Sequence, residues 1–256
     1  MTKTVAQAML AKVYAEKEVQ DYDKVITYAD KVIKTTGVEL EDSYETLWGY
    51  DETTKDCLKR NTKEGILEVH WTTGSGNWET WMYGRQLDNW DYYFTWAKWI
   101  TPSRDIINDF EKEGDEIRKN QAIVYYACTW SNYYPASNYP FMYKLRSSYS
   151  NIYWIRLADI ILMKAEAEAY KGNLAESAKL VNQIRKRAKL KDLTSDKTGT
   201  KEAMIEAVLH ERRLELAFEG ERWFDLCRNN KVEKYLNGID NRDKGRIKQV
   251  KLFDSN

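Results

Sequence analysis

The chain has 256 residues, enough to bury a sizeable core, and its 40 Lys plus Arg are matched by 40 Asp plus Glu. That balance excludes a general electrostatic pull toward nucleic acid or anionic lipid, and no stretch is long and apolar enough to cross a bilayer as a helix. Ten Trp and eighteen Tyr against three Pro predict large aromatic surfaces carried on ordered elements.

Cys57, Cys128 and Cys227 are widely spaced and form no CxxC pair, so they read as small apolar fillers rather than a zinc or redox motif. Met1 is followed at once by a helix-like pattern, not by a secretory leader, which implies that the chain begins inside a domain, as a gene fragment would. Residues 3–19 place Val5, Ala6, Met9, Leu10, Val13 and Tyr14 on one helical stripe. A second stripe carries Tyr22, Val25, Ile26, Ala29, Val32 and Ile33, with Gly37 as a stop, so residues 3–36 predict a helical hairpin. The pattern returns at 154–170, with Ile155, Ala158, Ile161, Leu162, Ala165 and Ala169. After a turn at Gly172-Asn173 it continues with Leu174, Ala178, Val181 and Ile184. Paired amphipathic helices with small residues at the contacts are the ingredients of tetratricopeptide-type hairpins.

Between the hairpins lies a long insertion, residues 65–150. Gly65 to Trp71 alternates as a half-buried strand does, and Gln121 to Thr129 alternates more weakly. Residues 71–99 hold Trp71, Trp78, Trp81, Tyr83, Trp90, Tyr92, Tyr93, Phe94, Trp96 and Trp99, and Gly74, Gly76 and Gly84 predict loop through the first half. Thr101-Pro102-Ser103 opens a helix with a hydroxyl cap and Pro in the first turn, with Ile106, Ile107 and Phe110 on its apolar face. A second aromatic loop follows from Trp130 to Tyr143. The last strong helix spans about 201–219, its inner face carrying Ile205, Val208, Leu209, Leu216 and Phe218, and Gly220 ends it. Residues 229–256 form a polar tail with no clear core beyond Tyr235 and Leu236. The fold expected is mainly α: helical hairpins with an aromatic, loop-rich insertion containing a few short strands, in one domain over residues 1–256.

His210-Glu211-Arg212-Arg213-Leu214-Glu215-Leu216-Ala217-Phe218-Glu219-Gly220-Glu221-Arg222-Trp223-Phe224-Asp225-Leu226 closely resembles the C-terminal signature of the SusD/RagB family. The blocks Arg156 to Ala167 and Asn182 to Ala188 resemble the same family in the expected order, and Thr101 to Asp115 is similar to its helix start between blocks. The family usually has His where this chain has Glu221, a change expected to lie at the surface. Its closing tail, Pro-Ile-Pro followed by Gln-Asn-Pro-Gly-Tyr, does not occur between Arg228 and Asn256. Its N-terminal portion with a lipidated Cys does not occur here either, so the resemblance implies the C-terminal portion of a longer protein. Charges in the signature at three- and four-residue spacing are expected to pair along the helix, some of them capping or pairing with the neighbouring hairpin, with Trp223-Phe224 as an apolar anchor.

The resemblance implies a non-catalytic protein that captures oligosaccharide or polysaccharide at the extracellular face of the outer membrane. It also implies delivery of that glycan to a partner TonB-dependent transporter, with a lipid anchor outside this chain as the only membrane attachment. No cofactor, metal or nucleic acid is expected. A flat aromatic ring covers the C–H face of a sugar while amide and charged groups take its hydroxyl rim. Trp78, Trp81, Trp90, Tyr92 and Trp96 offer such faces, with Asn77, Arg85, Asp88 and Asn89 interleaved; in the family, ligand-contacting aromatics come from this loop region. Trp71, Phe94 and Trp99 adjoin regular elements and are assigned to the core. Two other readings stand beside this one. A helical-repeat module could use the same aromatics to contact protein. A glycoside hydrolase would need paired carboxylates, for which Glu79, Asp88, Asp91 and Asp109 are available without a marking spacing.

Overall fold

Side-chain oxygens just ahead of the apolar runs start most of the long helices. Thr2, Asp21, Ser103, Asp115 and Thr200 each accept a hydrogen bond from a backbone N–H three residues on, satisfying one of the donors a helix start leaves open. The computed structural model describes residues 2–71, 78–84, 100–129, 131, 134–147 and 149–237. Helices α1 (Lys3–Ala15), α2 (Tyr22–Ile33) and α3 (Tyr44–Trp48) lead into strands β1 (Tyr50–Asp51), β2 (Asp56–Cys57) and β3 (Gly65–Val69). Then come α4 (Trp78–Tyr83), α5 (Arg104–Glu113), α6 (Glu116–Ala122), β4 (Ile123–Tyr126), β5 (Tyr139–Met142) and β6 (Ile152–Arg156). The chain continues through α7 (Leu157–Tyr170), α8 (Leu174–Arg187), α9 (Ser195–Thr198), α10 (Lys201–Glu215), α11 (Arg222–Arg228) and α12 (Val232–Asn237). The described part is thus mainly helical and tetratricopeptide-like, with a few short strands, as the sequence implies.

Helix α7 is the centre of the scaffold. It is buried on nearly every side because α2, α8, α10 and α1 all pack against it. Its apolar residues Ile160, Ile161, Leu162 and Ala165 join Ala8, Ala29, Val32, Val181, Ile184, Val208 and Leu209 in one core. Small alanines sit where helix axes approach most closely. For that reason the inner face of α1 is Val5, Ala8, Ala11 and Ala15, not the predicted stripe through Ala6 and Leu10; Val13, also on that stripe, is 51% exposed. Larger apolar residues on α1 marked the wrong face because the side packed against α2 and α7 is lined mostly by alanines.

The strands form three separate antiparallel pairs: β1 with β2, β3 with β6, and β4 with β5. In the second, Gly65 faces Arg156 and Val69 faces Ile152, so the ribbon closes the base of residues 70–151. Ile155 therefore belongs to a strand, and the helix predicted from 154 begins only at Leu157. In the predicted opening of the next helix, Ser103 is the cap and Pro102 lies just outside it. Two further boundaries move. A short helix, α4, lies within the segment expected to be loop, and α10 ends at Glu215 rather than near 219. After it the chain reverses through Phe218, at φ 66°, and Gly220, at φ 88°. A left-handed Phe is unfavourable, and packing of its ring against the cluster of Ile106, Ile107 and Phe110 offsets that cost.

The signature charges do not pair along their own helix. Because α10 is buried on most sides, its charged residues reach other elements. Glu215 accepts from Tyr44 Oη (2.6 Å), Arg118 Nη1 (3.2 Å), Arg156 Nη1 (2.6 Å) and Arg187 Nη2 (2.6 Å). Arg156 also donates to Glu64 (2.8 Å) and to Glu219 (2.6 and 2.8 Å). Glu211 pairs with Arg118 (2.6 Å) and Arg185 (3.0 Å). Arg212 is fully buried between Asp159 (2.7 Å) and Asp225 (2.9 Å). Glu221, expected at the surface, is instead largely covered and holds Lys12 of α1 at 2.7 Å; Lys12 also holds Asp159 at 2.7 Å. Trp223 and Phe224 are no anchor, being 48% and 54% exposed.

Removing one partner from such a network strands the others without solvent. Arg156→Met is expected to lower unfolding free energy by about 3–5 kcal/mol, measured by urea denaturation. Burial alone would raise the Glu215 carboxyl, but Arg187, Arg156 and Arg118 outweigh it and hold it well below its usual value. Lys12 and Arg212 hold Asp159 low against burial in the same way. Carboxyls depressed in the folded state stabilise it above their unfolded values of roughly 4, and that stability drains away as pH falls toward the folded values. Asp115 and Glu221, both pushed up by burial, carry the opposite sign. The depressed pair should dominate, so the urea midpoint is expected to drop steeply between about pH 4 and pH 2.

Candidate functional site

Strand β5 is the seat of the site. Tyr139, Pro140, Phe141 and Met142 are all buried, while its partner β4 is half-covered and ends at Tyr126, which is 38% exposed. The register pairs Ile123 with Met142 and Tyr126 with Tyr139. Tyr134 packs edge-on against Tyr139 at 5.9 Å, donates its hydroxyl to Pro102 O at 2.7 Å, and carries the Arg104 guanidinium over its ring at 4.9 Å. These contacts fix the start of α5 beside β5.

The described residues on either side of the aromatic segment 85–99 are fastened to that strand. On the N-terminal side, Gly84 closes α4 by donating its N–H to Thr80 O at 2.9 Å and bridges Met142 of β5. No other residue fits there, because an added Cβ would stand 2.3 Å from Leu145 O and 2.9 Å from Leu145 Cβ. On the C-terminal side, Thr101 donates its hydroxyl to Pro140 O at 2.9 Å. The segment thus leaves from and returns to positions two residues apart on one buried strand. A root of this kind is set by the scaffold and not by the segment.

Of the expected ligand contacts, Trp78 and Trp81 lie on α4, three positions or about one turn apart. Thr80, between them, is fully buried. Asn77, Arg85, Asp88, Asn89, Trp90, Tyr92 and Trp96 fall outside the described residues, as do Phe94 and Trp99 of the expected core. Trp71 is half-buried. Sequence patterns missed two aromatics: Tyr126, and Trp154 on β6, which stands well exposed between buried Tyr153 and Ile155. Strand alternation around 153–155 was the available signal, hidden because the segment was read as helix.

The hydrolase carboxylates gain little from the geometry. Asp109 is engaged by Arg213 of α10, Glu79 is exposed on α4, and Asp88 and Asp91 lie outside the described residues. Both histidines face carboxylates: His70 meets Glu68 at 2.8 Å and His210 meets Glu113 at 3.1 Å. The His210 contact and Arg185 outweigh burial and hold the Glu113 carboxyl down at about 2. Among the described residues no group of His, Cys, Asp and Glu is arranged to hold a metal, and no helix is long and apolar enough to cross a membrane.

These features define a class: a scaffold of helical hairpins with a long insertion whose aromatic segment is rooted on a buried strand. The sequence profile of the SusD family matches residues 63–255, and the chain belongs to that family. It is similar to SusD-like protein P38 of Formosa agariphila, with 38% identity over 104 residues, 38% of this chain and 21% of that protein. Among solved structures it is similar to a SusD superfamily protein from Bacteroides vulgatus, with 25% identity and a TM-score of 0.72 over 94% of this chain and 54% of that one. It also superposes on a protein described as a laminarin binding SusD-like protein, with 24% identity and a TM-score of 0.68 over 95% of this chain and 58% of that one. The chain therefore spans little more than half the length of these solved relatives.

The seat of α4 can be tested directly. Gly84→Ala should force α4 away from Leu145 and speed amide exchange of residues 80–84 by about tenfold or more, leaving α7 unchanged, in exchange mass spectrometry.

Proposed function

We propose that this chain binds glycan without cleaving it, through α4, the residue before it and the aromatic segment that follows it. The observation that carries the reading is the double fastening of that segment to β5 by Gly84 and Thr101. A scaffold that fixes the segment's ends reduces the ordering cost of displaying rings to a sugar. The ligand contacts we assign are Trp78, Trp81, Trp90, Tyr92 and Trp96 for ring faces, and Asn77, Arg85, Asp88 and Asn89 for hydroxyls. Family membership supports the reading, as does similarity to a laminarin-binding relative. In the proposed setting the chain works at the extracellular face of the outer membrane and passes oligosaccharide to a TonB-dependent transporter.

Calorimetric titration against a polysaccharide panel tests this. Binding is expected in the millimolar to micromolar range, about −4 to −8 kcal/mol, and should be weakened by about tenfold or more in Trp81→Ala and in Trp90→Ala. Release of reducing sugar by the chain alone would move the reading to a hydrolase. No heat with any polysaccharide would move it to a helical module that contacts protein.

A further inference from the structure

A groove of 660 Å³ lies where α5, the turn after α10, α11 and α12 meet, within the size of ordinary small-molecule sites, roughly 300–1,000 Å³. Its floor is apolar: Ile106, Leu216, Ala217 and Leu226, all buried. Trp223 forms part of the wall and remains 48% exposed. A large, half-exposed indole beside an apolar floor is a surface that water covers poorly.

The polar lining holds four cations and one carboxylate, but three of the cations are neutralised by carboxylates outside the groove. Of its cations, Arg212 is taken by Asp159 and Asp225, Arg213 by Asp109, and Lys234 by Glu206. Arg222 is different. It donates to Leu209 O at 3.3 Å and lies over the Tyr235 ring at 4.8 Å, and it has no carboxylate within ion-pairing distance among the described residues. Tyr235 is itself fixed by its hydroxyl's bond to Glu206, so the guanidinium is oriented before any ligand arrives. Burial, then the neighbouring charge of Arg213, pushes the Arg222 guanidinium below its usual value, the mark of a cation short of acceptors. Asp105 of α5 also lines the groove, and among the described residues it too has no ion-pair partner. One oriented donor group and one acceptor group therefore share a cavity with a flat aromatic wall.

We propose that this groove is a second carbohydrate subsite, taking a neutral hexose unit with its C–H face on Trp223 and its hydroxyls shared between Arg222 and Asp105. An acidic sugar would satisfy Arg222 but bring its charge toward Asp105, whereas a hydroxyl both donates and accepts and so suits the pair. Position agrees with the chemistry. Thr101, which fastens the end of the aromatic segment to β5, also lines the groove, so the subsite begins where that segment joins the scaffold. The inference rests on the glycan reading but concerns different residues.

Saturation-transfer NMR and calorimetry with laminarihexaose, maltohexaose, mannohexaose and oligogalacturonate test it. A neutral hexaose is expected to bind, and Trp223→Ala, Arg222→Gln and Asp105→Asn should each weaken it by about tenfold. A Trp81→Ala chain should retain a weaker binding that Trp223→Ala then abolishes. Trp223 and Asp105 are not buried, so unchanged thermal unfolding of their variants would show that the fold is intact. Neutral-sugar binding that is indifferent to all three groove variants overturns the subsite and leaves the glycan reading standing. Preference for oligogalacturonate that depends on Arg222 but not on Asp105 overturns the neutral-hexose assignment. No binding of any of these sugars overturns the subsite and the glycan reading together.

Discussion

A carboxylate that is wholly shut off from water must find its partners inside the protein, and Glu215 finds four of them. Each comes from a different element: Tyr44 from α3, Arg118 from α6, Arg156 from β6 and Arg187 from α8. The apolar core around α7 supplies the drive to collapse, but apolar contact is non-directional and tolerates sliding. A buried ion network tolerates little, because a shift of an ångström leaves a charge without solvent or partner. The hub therefore sets how the hairpins, the β3–β6 ribbon and the insertion sit against one another. Aromatic faces close it off: the Arg187 guanidinium lies over Tyr44 at 4.3 Å, and that of Arg156 over Trp48 at 5.3 Å.

The hub also reaches the root of the candidate site. Lys144, two residues beyond β5, donates to Glu215 O at 3.0 Å, bonds Glu219 at 2.5 Å and sits 4.2 Å over the Trp48 ring. Burial draws its ammonium down to about 8 even with Glu219 opposing. Arg146 continues the attachment by donating to Tyr143 O and to Gln121 O at the end of α6. The strand that carries both ends of the aromatic segment is thus bonded to the same residues that organise the scaffold.

Much of this was legible in the residue pattern, and the failures share a cause. The second hairpin helix and the apolar face of α5 followed from periodicity because each has one buried side and one wet side; β3, half-buried along its whole length, followed from its alternating residue types. Periodicity misled where that condition fails. On α1 the inner face is marked by alanines, which register weakly as apolar; α7 has hardly a wet side at all; and the charges of α10, spaced to pair along their own helix, reach inward to other elements. Glu221 was misjudged for the same reason, since nothing local announces that Lys12, more than two hundred residues earlier, needs a second carboxylate. For the site, aromatic density located the segment, but its fastening to β5 depends on a non-local bridge at Gly84 and on Thr101, whose only local signal was a cap. Trp154 was overlooked and Trp223 was read as an anchor because exposure of a large apolar ring is a property of the finished surface.

The ribbon formed by β3 and β6 has a consequence for how the chain reaches this shape. Its two strands are separated by residues 70–151, so their pairing must wait until a long stretch has been gathered in, and gathering it carries a closure entropy that no local contact repays. Arg156, at the end of the later strand, is also the residue that brings Glu64, Glu215 and Glu219 together. Ribbon closure and charge neutralisation are therefore a single late event. Until it occurs α8 and α10 can collapse on α7, but the carboxylates of α10 stay hydrated and the insertion has no fixed place to stand.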